Sequence, residues 1–286
     1  MTQARLPTRK RDWQRLIAEI GLRPNKGRGQ NFLHDLGVVH RIVRAADVGG
    51  EDHCLEIGPG LGIMTHELVA RAGQVTAIEL DAALAGHLER TFAGVPGFHL
   101  IQGDALKIDL AEALGPEPVK VVANLPYSAA AAIVQHVLEA AITLESVTVM
   151  VQREVAERML ANPPDMSILS VATQVSAEGA IDFLVPPDVF IPSPAVESAV
   201  LTLTPHSEPL ISQKEREPFF RLVNAGFRHK RKNIANSIAD ETRLEKSEVL
   251  KALSSAGIDP VRRAQTLTVA EWIGLMHAWD REIVAA

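Results

Sequence analysis

Cys54-Leu55-Glu56-Ile57-Gly58-Pro59-Gly60-Leu61-Gly62 reads as a short buried strand that runs straight into three alternating glycines. Glycine lets the chain turn tightly and bring its backbone against a ligand, because no Cβ stands in the way. Residues 63–71 follow with helical periodicity, so strand, turn and helix make one α/β unit. The alternation continues to residue 152. Apolar runs at 74–80, 98–102, 119–123 and 147–152 are separated by amphipathic stretches, among them 82–92 and 129–141. This pattern predicts a parallel sheet with helices on both faces, a doubly wound, Rossmann-like α/β fold. Two later β-rich runs, 180–185 and 198–204, are expected to close the sheet as an antiparallel pair.

Beyond Pro205 the pattern changes. Residues 205–211, with Pro205 and Pro209, read as a linker, and helical periodicity returns at 213–225, 230–239, 246–255 and 268–282. The expected organisation is a basic N-terminal extension over 1–29, an α/β domain over 30–205 and a small all-helical C-terminal domain over 212–286. No internal repeat and no low-complexity tract interrupts it.

The glycine turn is a cofactor signal. Glu79 ends the second strand, nineteen residues after Gly60, where an acid can bind two ribose hydroxyls. Asp104, in Gly103-Asp104-Ala105, follows the third strand and can accept a hydrogen bond from an adenine amino group. A glycine loop alone would also suit NAD. The G-x-G-x-G spacing at Gly58, Gly60 and Gly62, and the Gly-Asp after the third strand, point instead to S-adenosylmethionine and a methyltransferase domain. Glu56 either orients the glycine loop or approaches the sulfonium, or else is a buried acid satisfied by backbone donors. Gln30-Asn31-Phe32-Leu33 follows the basic turn Lys26-Gly27-Arg28-Gly29. It either grips the methionine end of the cofactor or caps a helix with Phe32 in the core.

Asn124-Leu125-Pro126-Tyr127, after the fourth strand, supplies the reaction. The N6 nitrogen of adenine is a poor nucleophile, because its lone pair is delocalised into the ring. Two hydrogen-bond acceptors on its hydrogens favour the pyramidal form, whose lone pair can attack a methyl group. The Asn124 side-chain oxygen and the Leu125 carbonyl can be those acceptors. Pro126 disfavours helix at Leu125 and holds it extended. Tyr127 offers a flat face to an extruded base. No general base is required, since the methylated nitrogen turns acidic and loses its proton to water. Isolated, the motif is equally a turn leaving a strand; behind the glycine loop it reads as a catalytic pocket.

Composition fits a cytoplasmic protein. The chain has 286 residues, 47% hydrophobic and 22% charged, with no apolar run of membrane-spanning length. The N-terminus lacks the apolar stretch of a secretory signal. The one cysteine, Cys54, cannot form an internal disulfide and is expected in the core. No metal site and no membrane contact is expected, and a monomer is. The net charge of −6 is unevenly spread: residues 1–30 carry +6, residues 212–286 carry +3, and the middle carries −15. Basic ends around an acidic body would orient a polyanion at the rims.

The chain resembles the ribosomal RNA adenine dimethyltransferases, most specifically those that dimethylate two adjacent adenosines in a hairpin near the 3′ end of 16S rRNA. The resemblance runs from about Gly27 to the final helix. It rests on QNFL at 30–33, EIGPGLG at 56–62, IELD at 78–81, GDAL at 103–106, NLPY at 124–127, MVQREVAERM at 150–159, VFIPSPAVESAV at 189–200 and GFRHKRKNIANSI at 226–238. It implies that Asn31 and Leu33 contact the methionine portion of S-adenosylmethionine. Gly58 and Gly60 would form the floor, Glu79 would hold the ribose and Asp104 the adenine, with Asn124 shared between cofactor and base. Tyr127 and Phe190 would sandwich the target adenine. Arg221, Arg228, Lys230, Arg231 and Lys232, with Arg262 and Arg263, would contact phosphates of 16S rRNA in the small subunit or its precursor. The chain departs from the family at Ala129–Ala132, at Pro163-Pro164-Asp165-Met166-Ser167 and at Ala195, where a lysine is usual; all three are expected near the RNA. The competing readings are a methyltransferase acting on large-subunit RNA, a ribosome-assembly or transcription factor that works without turnover, and an NAD enzyme.

Overall fold

The computed structural model describes residues 6–7, 9–22 and 31–284. Lys26–Gly29 and Gln30 lie outside the described residues. The expected basic extension contains a helix, α1 (Lys10–Glu19), in which Trp13 and Ile17, four positions apart, are buried at 0% and 6% exposure. An apolar stripe at Trp13, Leu16, Ile17 and Ile20 is the signal for it.

A two-residue strand β1 (Phe32–Leu33) leads into α2 (Leu36–Ala45), whose first turn is capped by Asp35 accepting from the Val38 amide at 2.9 Å. The α/β repeat then runs β2 (His53–Ile57), α3 (Ile63–Val69), β3 (Gln74–Glu79), α4 (Ala82–Thr91), β4 (Phe98–Gln102), α5 (Leu110–Leu114), β5 (Val119–Asn124), α6 (Ala130–Glu139) and β6 (Leu144–Gln152). After α7 (Arg153–Met159) and α8 (Ile168–Gln174) come β7 (Ala177–Val185), β8 (Phe190–Ile191) and β9 (Ser198–Pro205). The sheet order is β4-β3-β2-β5-β6-β9-β7. Strands β4, β3, β2, β5 and β6 pair parallel and β9 runs antiparallel to β6, with β7 at the edge beyond it. Strand β2 is buried along its whole length, as a central parallel strand covered on both faces must be. The chain order reverses between β2 and β5. At such a switch point the loops leaving the strands diverge and open a crevice at their carboxyl ends.

The chain divides into two compact units: residues 1–156 with 178–205, and residues 157–177 with 206–286. The first is the α/β unit, with a core through Ile42, Leu68, Val122, Met150 and Phe190. The second is helical: α8, α9 (Gln213–Phe227), α10 (Ile234–Thr242), α11 (Lys246–Ser255) and α12 (Val269–Trp279) surround Phe219, Ile238, Leu253 and Trp272. Two expectations need correction. The helix expected at 230–239 begins at Ile234, because the Asn233 side chain caps it by accepting from the Asn236 amide, leaving Lys230–Lys232 in the preceding turn. The segment expected as a linker is packed: His206 Nε2 lies 2.9 Å from the Gln174 carbonyl, and Ile211 is 5% exposed.

Among the described residues, no helix is long and apolar enough to cross a membrane, and no group of three His, Cys, Asp or Glu could hold a metal.

Candidate active site

A cavity of about 300 Å³ opens at the carboxyl ends of β2, β3, β4 and β5. It is lined by the glycine turn, by the residues around Glu79, Asp104 and Asn124–Tyr127, and by Asn31, Phe32 and Leu33 at β1. Every expected cofactor residue therefore reaches one space: Asn31, Leu33, Gly58, Gly60, Glu79, Asp104 and Asn124.

The glycine turn is shaped by close approach. Gly60 has φ +59°, and a Cβ there would lie 3.3 Å from the Phe32 ring. Gly62, at φ +79°, is the N-cap of α3, and its Cβ would meet the Phe92 ring at 2.9 Å. The loop is pinned by Glu79, whose carboxylate accepts from the Gly60 amide at 3.1 Å and the Asp81 amide at 2.9 Å. Burial raises the Glu79 carboxyl, and these two amides pull it back. Asp81 caps α4 through the Ala83 and Leu84 amides. Asp104 accepts from the Leu106 amide at 3.1 Å, with Lys107 Nζ 3.6 Å from its other oxygen.

Glu56 is 1% exposed, and its partner is the Thr65 hydroxyl of α3 at 2.6 Å rather than a backbone donor. Burial pushes its carboxyl up to about 8, against the Thr65 hydrogen bond and with help from the Glu79 charge. Among the described residues the cavity is thus lined by four carboxyl groups, Glu56, Glu79, Asp81 and Asp104, and by no Lys, Arg or His. That charge pattern disfavours the pyrophosphate of a dinucleotide and suits a cation. S-adenosylmethionine, with a sulfonium, an ammonium and one carboxylate, fits it.

The substrate side is built at the end of β5. The Leu125 amide donates to Met150 O at 3.1 Å, so the residue before Pro126 is fixed to β6. Asn124, Leu125, Pro126 and Tyr127 all line the cavity. The Tyr127 hydroxyl lies 2.6 Å from Ser198 Oγ, at the start of β9, and burial raises that phenol. Ser198 and Thr65 carry no signal in the sequence, because their partners lie 71 and 9 positions away and no local pattern marks them. Phe190 is not brought to the cavity. It is 0% exposed, packed in the α/β core and paired with Leu33 in the β1·β8 ribbon. The end of the QNFL segment forms that ribbon; the cap of the next helix is Asp35. Cys54 is fully buried and its thiol is pushed up to about 12, so it is inert core.

In the helical unit Arg221, Arg228, Lys230, Arg231 and Lys232 lie on α9 and in the turn after it. Arg228 pairs with Glu241 at 3.6 Å and Lys232 with Asp240; among the described residues Arg221, Lys230 and Arg231 make no ion pair. Arg262 does not belong with them. Its guanidinium is engaged by Glu271 and by Thr266, and the Glu271 carboxylate raises it further. Of the departures, Ala129–Ala132 starts α6, and Ala195 is exposed. The 163–167 segment is built into the helical unit: Met166 is 4% exposed in its core and Pro164 O accepts from Gln265.

The family model described as ribosomal RNA adenine dimethylase matches residues 21–279. A ribosomal RNA small subunit methyltransferase A from Moorella thermoacetica is 45% identical over 271 residues, covering 91% of this chain and 94% of that protein. The crystal structure of the 23S rRNA methyltransferase ErmE is 31% identical with a TM-score of 0.68, covering 87% of this chain and all of that one. A dimethyladenosine transferase from Plasmodium falciparum shares the fold, with a TM-score of 0.74 at 22% identity over 88% of this chain and 98% of that one.

Proposed function

The chain belongs to the ribosomal RNA adenine dimethylase family, and from that premise we propose that it transfers methyl groups from S-adenosylmethionine to N6 of two adjacent adenosines in a hairpin near the 3′ end of 16S rRNA, giving N6,N6-dimethyladenosine. The observation that carries this reading is the cavity in which an all-acidic cofactor cradle meets Asn124–Tyr127.

Asn31, Leu33, Gly58, Gly60, Glu79, Asp104 and Asn124 would hold the cofactor. Bound there, it supplies an electrophilic methyl on a cationic sulfur. The protein's part is to present the amine. The Asn124 side-chain oxygen and the Leu125 carbonyl accept from the N6 hydrogens and favour the pyramidal nitrogen. Tyr127, steadied through Ser198, offers its ring to the extruded base. Phe190 would complete a sandwich only if its cover in the core were withdrawn. Arg221, Arg228, Lys230, Arg231 and Lys232 would contact phosphates and position the RNA without reading its sequence. The reading includes action as a monomer in the cytoplasm.

Small-subunit RNA is favoured over large-subunit RNA by the higher identity to the small-subunit relative, 45% against 31% for the 23S enzyme. A methyl-transfer assay tests it, with labelled S-adenosylmethionine and unmethylated small-subunit particles, large-subunit RNA or no RNA, followed by mass spectrometry. Dimethyladenosine in the small-subunit RNA is expected. Transfer to the large-subunit RNA alone would replace the substrate, and transfer to neither would favour a binding factor.

A further inference from the structure

Glu56 differs from the other three cavity carboxyls. Glu79 and Asp81 each accept two backbone amides, and Asp104 has the Leu106 amide with Lys107 beyond it. Glu56 has one neutral partner, the Thr65 hydroxyl at 2.6 Å, and is 1% exposed. A hydroxyl can donate to a carboxylate or accept from a carboxylic acid, so this hydrogen bond survives either protonation state. The groups that face Glu56 are Thr65 from α3 and Glu79 from β3. Asp81, Asp104 and Tyr127 share the cavity, Cys54 lies two positions back on its own strand, and among the described residues no cation lines the space. None of these groups neutralises a charge on Glu56, whereas a cationic ligand in the cavity would.

We propose that Glu56 is a carboxylic acid in the free protein and gives up its proton to solvent when S-adenosylmethionine binds, so that the cavity gains a negative charge as it receives a positive one. The inference rests on the methyltransferase reading. The direction of the free-state shift supports it, since the carboxyl is pushed up to about 8 by burial and by Glu79. It also separates cofactor from product. S-adenosylhomocysteine keeps the ammonium but its sulfur is neutral, so it draws the proton off less completely and is held less tightly. Spent cofactor would then leave as Glu56 regains its proton.

The sign follows from linkage. Binding favours the deprotonated form, so affinity rises with pH, by up to about tenfold per unit, until the free carboxyl is itself ionised near its raised value. Titration calorimetry of the whole protein at about pH 7, in phosphate and in Tris, measures protons released through the buffers' different ionisation enthalpies. The ligand's own amine titrates alike in every variant, so the readout is the difference between wild type and Glu56→Gln. Proton release is expected from the wild type, less with S-adenosylhomocysteine, and none from the carboxamide variant beyond the amine's own. Its Kd should change between about pH 6 and pH 8 only as the ligand's own amine dictates, the same background that is subtracted from the wild type. Equal release in both proteins, with both binding, would overturn the proposal. Should Glu56→Gln not fold, Thr65→Val carries the test. Losing the donor that favours the carboxylate must move the midpoint of the Kd profile to higher pH, and an unmoved midpoint is equally fatal. Failure of the wild type to bind either compound would instead sink the methyltransferase reading, and the proposal with it.

Discussion

In the proposed mechanism Asn124 is the side chain that carries most of the chemistry. It ends β5 at the rim of the cavity, beside the Leu125 amide that is fixed to Met150. Asn124→Ala removes one of two acceptors used as N6 becomes pyramidal, so turnover should fall by roughly 2–4 kcal/mol of transition-state stabilisation. Asn124 is one of seven residues assigned to the cofactor, so affinity by calorimetry should fall by far less than turnover, and an undiminished kcat would refute the mechanism. Tyr127 and Ser198 form the second test. Tyr127→Phe and Ser198→Ala each break the same 2.6 Å hydrogen bond, and each leaves a buried polar atom at most about 1–3 kcal/mol worse off. Both retain the ring, so activity should fall modestly in each and the double variant should be no worse than the poorer single one. Additive losses would mean that the two residues act separately. Asn124 and Tyr127 are legible in the sequence because the chemistry proposed for them demands a contiguous motif. Ser198 and Thr65 are not, since each acts through a partner that only the fold supplies. Phe190 illustrates the converse: its motif is legible, but full burial in the β1·β8 ribbon is not.

At the scale of elements, the strands of the α/β unit are legible because central parallel strands must be apolar throughout. The short helices α5, α7 and α8, of 5, 7 and 7 residues, offer few turns for a periodic signal and, unlike the equally short α3, follow no glycine turn that marks their start. The packing of α9 on α12 is invisible for another reason, namely that it depends on a missing side chain. Gly226 lies in α9 where a Cβ would fall on Trp272 Cη2 and within 3.2 Å of Cζ3. Trp272 is fully buried and stacked on Phe227 at 5.7 Å between centroids, so its ring has little room to yield. Gly226→Ala should gain roughly 1 kcal/mol of helix propensity and lose about 1–3 to overpacking, a net destabilisation. Gly274→Ala in α12, with nothing within 4 Å of its Cβ, is the control and should stabilise by up to about 1 kcal/mol. Thermal denaturation of both variants distinguishes the two effects; a Gly226→Ala protein melting higher than wild type would show that the rings repack freely.

The whole molecule carries a net −6, yet its reading as an RNA enzyme requires attraction to a polyanion, and the resolution lies in distribution. The acidic charge lies in the middle of the sequence, where four carboxyls line a cavity for a cation, while the C-terminal 75 residues carry +3. Within the helical unit the cations are unequal. Arg262 is held by Glu271 and Thr266 and is a strut, whereas Lys230 and Arg231 are exposed and make no ion pair among the described residues. Sequence alone cannot rank them, because a run of arginines and lysines looks the same whether it faces water or a glutamate. Arg228 and Lys232 are intermediate, since exposed pairs with Glu241 and Asp240 can be exchanged for phosphates at little cost. Reversing charge at Lys230 and Arg231 should therefore weaken small-subunit RNA binding at low salt. It should also flatten the dependence of log K on log salt by about 1–2, near 0.7–0.9 for each phosphate no longer neutralised. Reversing charge at Lys246 and Lys251 on α11, both exposed and outside the cluster, makes the same change in total charge and should leave the slope nearly unaltered. Filter binding across a salt series reads both. Equal flattening by the cluster and by the Lys246/Lys251 reversal would mean that net charge draws the RNA, and that the turn between α9 and α10 has no special place in holding it.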